Sequence, residues 1–402
     1  MHQIIDDIIH QVQKTLSCVN KTVALHEPHF GGNEWKYIRE CLETGWVSSV
    51  GKFVDKFEQD LIDFTQSNYA IATTNGTCAL HICYLLAGIS MGDEVLVPSL
   101  TFVATTNAIS YCGAIPHFID SQASHLGINS VLLEDYLQDI TKLKKKICIN
   151  KITGRPIRAL CVMHTLGHPV DLDSLEEICK KYYIALIEDA AEALGSYYKG
   201  VHVGHRGLLG ALSFNGNKII TTGGGGAILT NSAELAKQAK HITTTAKLPH
   251  QWLFQHDQVG YNYRLPNINA ALGCAQLEQL PQFLKAKRML AQKYQNAFIN
   301  IPGIQFIKEP EDTKSNYWLN ALLLDEPYAG LRNKLLSEMT KHGFGVRPLW
   351  DLQHTLPMYK DCPRMPLPIA KSLQKRLIKI PSSASLVKPI LQNVSRQEVI
   401  SK

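Results

Sequence analysis

The chain has 402 residues, of which 45% are hydrophobic and 19% are charged, and its net charge is +6. This length exceeds what one hydrophobic core usually serves, so an ordinary globular protein with two domains is expected. The charge is modest for the length, and the one dense basic run, at residues 142–146, has no interleaved aromatic residues. It therefore predicts a solvated face rather than a nucleic-acid site.

The N-terminal segment carries Ile4, Ile5, Ile8 and Ile9 at helical spacing, interrupted by acidic residues. This pattern predicts a helix that covers a neighbouring surface, and it excludes a signal-peptide core or a membrane span. The ten cysteines include no Cys-x-x-Cys pair, and several lie in apolar segments. Buried free thiols in a reducing compartment are expected, which predicts a cytoplasmic protein without a metal site.

Short β-rich runs alternate with helical stretches through the first two thirds of the chain. The runs lie at 69–74, 94–98, 115–119, 157–164, 184–189, 208–214 and 227–230. This alternation predicts an α/β fold with a mainly parallel sheet between helices. A long helical pattern at 276–298 and strand-like runs at 317–324 and 343–348 then predict a smaller α+β domain. We expect a large domain at 1–277 and a small domain at 278–402.

The residues that follow these runs are the candidates for chemistry, because ligands of such sheets bind beyond the carboxyl ends of the strands. Asn75-Gly76-Thr77 follows the first run and opens a helical pattern. Free N–H groups at such a helix start suit a phosphate. An ordinary helix cap, made by Thr77 or Asn75, is the alternative.

Two further segments carry ionisable groups at strand ends. Asp189 closes an apolar run and Glu192 follows one turn later; a buried Asp189 would pair with a protonated heterocycle nitrogen, whereas a capping box is the alternative. Lys218 lies between the run at 208–214 and four glycines, Gly223 to Gly226. It is either a solvated loop lysine or an imine-forming lysine. The glycines lack the G-x-G-x-x-G spacing of a nicotinamide-binding turn.

A phosphate-binding helix start, an aspartate for a ring nitrogen and an imine-forming lysine are together what pyridoxal phosphate requires. The order of five motifs resembles the DegT-type nucleotide-sugar aminotransferases, of aminotransferase fold type I, over nearly the whole chain. The motifs are Asn75-Gly76-Thr77, Thr101 to Thr105, Glu188 to Ala191, Ser213-Phe214 with Lys218 and the glycines, and Gly260-Tyr261-Asn262-Tyr263-Arg264.

The resemblance implies a role for each matching residue. Lys218 would bind pyridoxal phosphate covalently and Asp189 would pair with its pyridine nitrogen, with pyridoxamine phosphate as the intermediate. Phe102 would stack on the ring. Gly76, Thr77 and Ser213 would hold the phosphate. Asn262 would reach the cofactor of the neighbouring subunit, which implies a homodimer with shared active sites.

Two positions depart from the family pattern. Gly224 stands where a glutamate is usual, and Glu192 stands where a glutamine or histidine is common. An ionised Glu192 beside the cofactor's phenolate oxygen would repel it, so we expect Glu192 to be protonated or to donate through a water.

Three segments resemble the LegC-like subgroup of legionaminic-acid biosynthesis: His26-Glu27-Pro28, Gly45 to Gly51 and Thr243 to His250. That resemblance implies transfer of an amino group from L-glutamate to C4 of a UDP-linked 2-acetamido-4-keto-6-deoxy sugar. Trp46 could stack on this substrate, and Lys247 and His250 could meet its diphosphate, although all three could equally be interface residues. A dehydratase of the same fold that uses pyridoxamine phosphate, and a non-enzymatic regulator, are the alternatives; Lys218 argues against the first because those enzymes carry histidine there.

Overall fold

The computed structural model describes residues 2–17 and 22–387. Within these ranges the chain alternates helices and strands as expected. The helices are α1 (His2–Leu16), α2 (Glu34–Thr44), α3 (Lys52–Thr65), α4 (Gly76–Leu86), α5 (Val103–Tyr111), α6 (Ser130–Ile140), α7 (Leu172–Tyr182), α8 (Ala233–Thr243), α9 (Asn267–Phe298), α10 (Arg332–Lys341) and α11 (Pro368–Arg376).

The strands of the first two thirds of the chain include all seven predicted runs. They are β1 (Tyr69–Thr73), β2 (Glu94–Pro98), β3 (Ile115–Ile119), β4 (Thr141–Lys144), β5 (Ile147–Asn150), β6 (Pro156–Met163), β7 (Ala185–Asp189), β8 (Tyr197–Tyr198), β9 (Val201–His202), β10 (Leu209–Ser213) and β11 (Gly226–Thr230). The hairpin of β4 and β5 was not predicted. It carries the basic run, whose lysines are exposed, so the predicted solvated face is confirmed.

The large sheet has the order β1-β11-β10-β7-β6-β2-β3, with the hairpin attached to β6 through β5. The pairs from β10 through β7, β6 and β2 to β3 are parallel, and β11 runs antiparallel to both β1 and β10. Every residue of β2 is buried, as expected for a strand covered on both faces. The fold class predicted from the sequence is therefore confirmed.

Side-chain caps fix where four helices of this layer begin. Asn75, Asn129, Asp171 and Ser232 each accept a hydrogen bond from a first-turn backbone N–H, at the starts of α4, α6, α7 and α8 respectively. Such caps satisfy N–H groups that a helix leaves without an internal partner. Among the helices that the structure describes, none is both long and apolar enough to cross a membrane.

A smaller antiparallel sheet lies in the C-terminal third, in the order β12-β14-β16-β15. The remaining strands are β12 (Ile304–Phe306), β13 (Thr313–Lys314), β14 (Asn320–Leu324), β15 (Arg347–Pro348) and β16 (Leu377–Ile380). Strands β12, β13 and β16 were not predicted, and β13 pairs with β8 rather than joining the small sheet. Helix α9 runs unbroken through residue 278, so the predicted domain boundary falls within a helix and the division into 1–277 and 278–402 stays a prediction.

The N-terminal helix α1 packs against α9 and α10 and buries the predicted isoleucines; Ile8 is 0% exposed. The prediction of a covering helix is confirmed. The nine cysteines of the described residues are all free thiols, and six of them are buried. Of those expected to be buried, Cys78 is only half-buried.

Candidate active site

A cavity of about 340 Å³ lies at the carboxyl ends of the central strands. It brings together seven residues singled out from the sequence: Gly76, Thr77, Phe102, Asp189, Glu192, Ser213 and Lys218. They come from four separate strand ends, and the parallel topology places these ends at one edge of the sheet. The cavity therefore assembles one site from residues spread over more than 140 positions in the chain.

Lys218 occupies a turn after β10 and points into this cavity. Its backbone N–H donates to the Asn215 carbonyl at 2.9 Å, which helps to fix the turn. Its side chain is only 13% exposed, and Nζ lies 3.5 Å from Glu192 Oε1 and 4.2 Å from the centroid of the Trp318 ring. The alternative of a solvated loop lysine is therefore wrong.

Asp189 ends β7 and is buried, at 3% exposure. The Thr105 hydroxyl donates to Oδ2 at 2.8 Å, and the Ala191 N–H donates to Oδ1 at 3.1 Å. Burial raises the pKa of Asp189, and these hydrogen bonds oppose that rise. When a cation binds beside a buried carboxylate that has no such neighbour, the cation stabilises the charged form of the carboxylate. The site therefore suits a protonated ring nitrogen. No helix begins here, so the capping-box alternative is wrong.

Glu192 lies between Lys218 and the backbone of residue 166. Its Oε2 accepts a hydrogen bond from the Leu166 N–H at 2.8 Å, and the residue is 3% exposed. Burial is the largest influence and raises the pKa of Glu192, whereas the charge of Lys218 and the bond from Leu166 lower it. The upward direction agrees with the expected protonated form, because burial favours the neutral carboxyl.

The start of α4 provides a place for a phosphate. Asn75 Oδ1 accepts from the Cys78 N–H at 2.8 Å, so the predicted cap exists and Asn75 makes it. The cap does not use the first-turn N–H groups of Gly76 and Thr77, which therefore remain available for an anion. A Cβ on Gly76 would lie 2.9 Å from Ser213 Cβ, so only glycine lets the helix start and the end of β10 come this close.

These groups fit pyridoxal phosphate. The cradle at α4 and Ser213 suits its phosphate, Asp189 suits its ring nitrogen, and Lys218 is within reach of the same cavity. Phe102, at the N-cap of α5, is 49% exposed and offers an aromatic face to the cavity.

Comparison with known proteins gives a consistent result. The sequence profile of the DegT/DnrJ/EryC1/StrS aminotransferase family matches residues 28–397. The chain belongs to this family. It is 38% identical to the GDP-perosamine synthase of Escherichia coli O157:H7 over 91% of this chain and 94% of that protein. It is 35% identical to EpsN of Bacillus subtilis (strain 168), named as a pyridoxal phosphate-dependent aminotransferase, over 85% and 84% of the two chains.

Among solved structures, PseC of Helicobacter pylori, an aminotransferase involved in the biosynthesis of pseudoaminic acid, is 25% identical. It superposes with a TM-score of 0.83 over 93% of this chain and 97% of its own. The protein is thus a pyridoxal phosphate-dependent sugar aminotransferase of fold type I. The resemblance drawn from the five sequence motifs is confirmed at the level of the family.

Two tryptophans of this aminotransferase also line the cavity and were not predicted as site residues. Trp318 Nε1 donates to the Asn217 carbonyl at 2.8 Å, which links the segment just before β14 to the Lys218 turn. Trp350 lies 6.3 Å from Phe102, centroid to centroid. Trp350 comes two residues after the end of β15. Its position just after the predicted strand at 343–348 is the sequence signal that could have identified Trp350.

The other four predicted residues do not line the cavity of their own chain. Asn262 is exposed and pairs with Thr244 through an isolated β-bridge. Trp46 is 58% exposed. Lys247 Nζ lies 4.0 Å from the Phe254 ring centroid. His250 Nδ1 accepts from the backbone N–H groups of residues 252 and 253 at 3.2 and 3.0 Å. Their roles toward substrate or a second subunit stay predictions.

Gly224, at the position where the family commonly has glutamate, lies beside β1. A Cβ at this position would be 3.8 Å from the Thr74 carbonyl oxygen, in ordinary van der Waals contact. The space therefore does not require glycine here. Nothing in the structure explains this departure from the family pattern.

Proposed function

We propose that this aminotransferase moves the amino group of L-glutamate to C4 of a UDP-linked 2-acetamido-4-keto-6-deoxy sugar, on the route to a nonulosonic acid of the legionaminic type. The observation that carries the reaction type is the cavity that unites Lys218, Asp189 and the helix start at Gly76. The choice of sugar rests on the segments at 26–28, 45–51 and 243–250, which resemble the LegC-like subgroup.

Pyridoxal phosphate, when bound, supplies an electron sink and carries the amino group between the two half-reactions. The residues of the chain do the rest. Lys218 Nζ takes the proton from the donor's α-carbon as a general base, and in the second half-reaction it returns a proton to the sugar carbon. Asp189, fixed by Thr105 and Ala191, keeps the ring nitrogen of the cofactor protonated.

Glu192 is the acid nearest to Lys218, at 3.5 Å. In its protonated form it adds no negative charge beside the cofactor's phenolate oxygen and can donate a hydrogen bond toward it. The Leu166 N–H fixes the other oxygen of the carboxyl group. The departure from glutamine or histidine at this position thus leaves a hydrogen-bond donor in place, provided that the carboxyl is protonated.

Asn262 belongs, in this proposal, to the active site of a second subunit. It is exposed and lies outside its own chain's cavity, within a surface that also exposes Trp252 and Phe254 by 69% and 79%. Apolar side chains this exposed are typical of a contact surface. A homodimer that shares active sites would cover them and bring Asn262 to the partner's cofactor.

A GDP-linked 4-keto sugar is the second candidate substrate. The observation that favours it is the 38% identity to a GDP-perosamine synthase over 94% of that protein. The two candidates differ in the nucleotide base and in the 2-acetamido group, so the same assay separates them.

The test incubates the reconstituted enzyme with L-glutamate and each 4-keto sugar nucleotide, UDP-linked or GDP-linked, and identifies the product by mass spectrometry and NMR. The proposal expects a 4-amino product from the UDP-linked sugar in wild type and none from Lys218→Ala. Product from the GDP-linked sugar alone would replace the proposed substrate by the second candidate. A dehydrated sugar product without an amino group would support the dehydratase. If no product forms and glutamate causes no change in the absorption spectrum, the regulator is favoured.

A further inference from the structure

Lys379 is a buried cation close to the cavity that the mechanism above does not use. It lies on β16 and is 5% exposed. Its Nζ is 4.6 Å from the centroid of the Trp350 ring, and Trp350 lines the cavity. It makes no hydrogen bond or ion pair with any residue that the structure describes. The face of the Trp350 ring compensates part of the lost hydration, and no hydrogen-bond acceptor among the described residues supplies the rest.

A second cation stands beside it. Arg347 on β15 is the register partner of Lys379 on β16. Side chains of directly paired residues project from the same face of a sheet. Arg347 donates to the Val346 carbonyl at 2.8 Å and has no ion pair within the described part of the chain. Arg347 itself is exposed, so water stabilises its charge, and its effect on Lys379 is the positive charge that it adds beside the buried ammonium group.

The charges near Lys379 come from both sheets. Burial lowers the pKa of Lys379 most, and the charges of Lys218 and Arg347 lower it further. The charge of Glu192 raises it, and the resulting pKa is about 8. Lys379 thus remains largely protonated at neutral pH. The bound cofactor needs neither cation, because its phosphate has the start of α4 and its ring nitrogen has Asp189. An anion that enters the cavity after the cofactor would balance the positive charges of Lys379 and Arg347.

We propose that Lys379 binds an oxyanion of the substrate, a carboxylate or a phosphate, at the cavity wall formed by Trp350. Two sources carry this chemistry, since glutamate brings carboxylates and a sugar nucleotide brings a diphosphate, and the two substrates occupy the cavity in turn. This role rests on the proposed function, and the binding measurements below do not depend on turnover. Arg347 assists as the neighbouring cation.

The experiment replaces Lys379 by methionine, which keeps a chain of similar length without the charge. Lys379→Arg is the conservative variant, and Lys375→Met on α11 is the matched control, because Lys375 is exposed in the same domain. Calorimetry with glutarate and with UDP measures the affinity of each anion for protein reconstituted with pyridoxal phosphate. Steady-state kinetics then give KM and kcat for glutamate and for the sugar nucleotide.

The expected result is a loss of about tenfold or more in affinity for one probe, with a matching rise in the KM of the corresponding substrate, as for a lost charge-assisted hydrogen bond. Loss of glutarate affinity assigns Lys379 to the donor; loss of UDP affinity assigns it to the sugar nucleotide. Lys379→Arg restores much of the affinity and Lys375→Met changes nothing. The melting temperature of Lys379→Met equals or exceeds that of wild type, because an unpaired buried charge has been removed.

Two results would overturn the role. One is that neither affinity nor either KM changes by more than twofold in Lys379→Met. The other is a lowered melting temperature together with equal weakening of both probes and of the cofactor, which is the signature of a structural lysine. If Lys379→Met does not fold, Lys379→Gln is measured in the same way. Anion binding that depends on Lys379 in a protein without transaminase activity would uphold the anion contact and reject the proposed function instead.

Discussion

The cavity and the outer segments at 45–51 and 243–262 differ in how firmly their residues are held by other residues of the same chain. In the cavity, Lys218, Asp189 and Glu192 are held by neighbours within 3.5 Å, and burial shifts the pKa of both acids. In the outer segments, Trp46 and Phe254 are 58% and 79% exposed, and His250 Nδ1 accepts hydrogen bonds from the adjacent backbone. One chain therefore brings together the cavity groups that the proposed reaction uses, whereas the residues of the outer segments remain largely open to solvent.

The largest effect is expected at the centre of the cavity. Lys218→Ala should reduce amino transfer by about 10⁴-fold or more, because both the covalent link and the general base are lost. Cofactor still binds through the α4 start and Asp189 but gives no visible band that glutamate can convert. Single-turnover absorbance with glutamate measures this, with Lys237→Ala on the surface of α8 as control. Conversion at more than a hundredth of the wild-type rate would contradict the assignment.

Asp189→Asn should slow the first half-reaction by about 10²- to 10⁴-fold, since the ring nitrogen loses its anionic partner. The fold should keep its stability, because the substitution removes a buried charge whose pKa burial already raises. Stopped-flow absorbance and thermal unfolding test the two parts.

The neighbouring Glu188 gives a matched contrast. It accepts hydrogen bonds from the Gly204 and Gly207 N–H groups at 2.7 and 2.8 Å and contacts His164 Nε2 at 3.0 Å. Glu188→Gln should therefore lower the melting temperature rather than act on the chemistry alone. If Asp189→Asn destabilised the fold more than Glu188→Gln, the functional reading of Asp189 would be wrong.

A smaller effect, about tenfold in cofactor affinity, is expected for Asn262→Ala, since a hydrogen bond to a charged phosphate is lost. The substitution in one subunit should weaken cofactor binding at the active site of the other subunit. Co-expressed Lys218→Ala and Asn262→Ala chains form mixed dimers in which one site lacks both groups and the other is intact. Recovery of roughly half the wild-type activity per mixed dimer supports a shared site, whereas failure to recover it places Asn262 elsewhere.

The smallest effect is expected at Glu192, in the pH dependence of the melting temperature and of the cofactor's absorption. Burial raises the pKa of Glu192 in the folded protein above its pKa in the unfolded chain. As pH rises from the unfolded-state pKa through the folded-state pKa, ionisation of Glu192 therefore lowers the stability of the wild-type protein. Glu192→Gln cannot ionise, so its melting temperature relative to wild type should increase over that window and then level off. The pH dependence of the cofactor's absorption should change as well. An absorption profile identical to that of wild type would reject the protonated form.

Sequence reasoning located the cavity well because its residues follow strands, and strand ends can be recognised from local patterns. Lys218 and Asp189 were found in this way, whereas Ser213 was identified through the resemblance to the family. Trp350 follows a predicted strand, at 343–348, and could have been found from that strand end in the same way. Trp318 was missed because it precedes a strand of the smaller sheet and contacts the Lys218 turn only through tertiary packing. Lys379 was missed for the same reason, since a lysine in a short strand is indistinguishable in sequence from a surface lysine.

Local patterns in the chain were enough to predict the α/β alternation, the helix start at Gly76 and the family, because hydrophobic periodicity, capping and ordered motifs are properties of neighbouring residues. They also indicated the residue types that transamination needs. Tertiary packing, in contrast, determines that the Lys218 side chain is mostly shielded from solvent, that Glu192 stands within 3.5 Å of it, and that Lys379 lies against the cavity-lining Trp350. Burial and charge are set by neighbours distant in sequence, so the pKa shifts that follow from them exist only once the chain has folded.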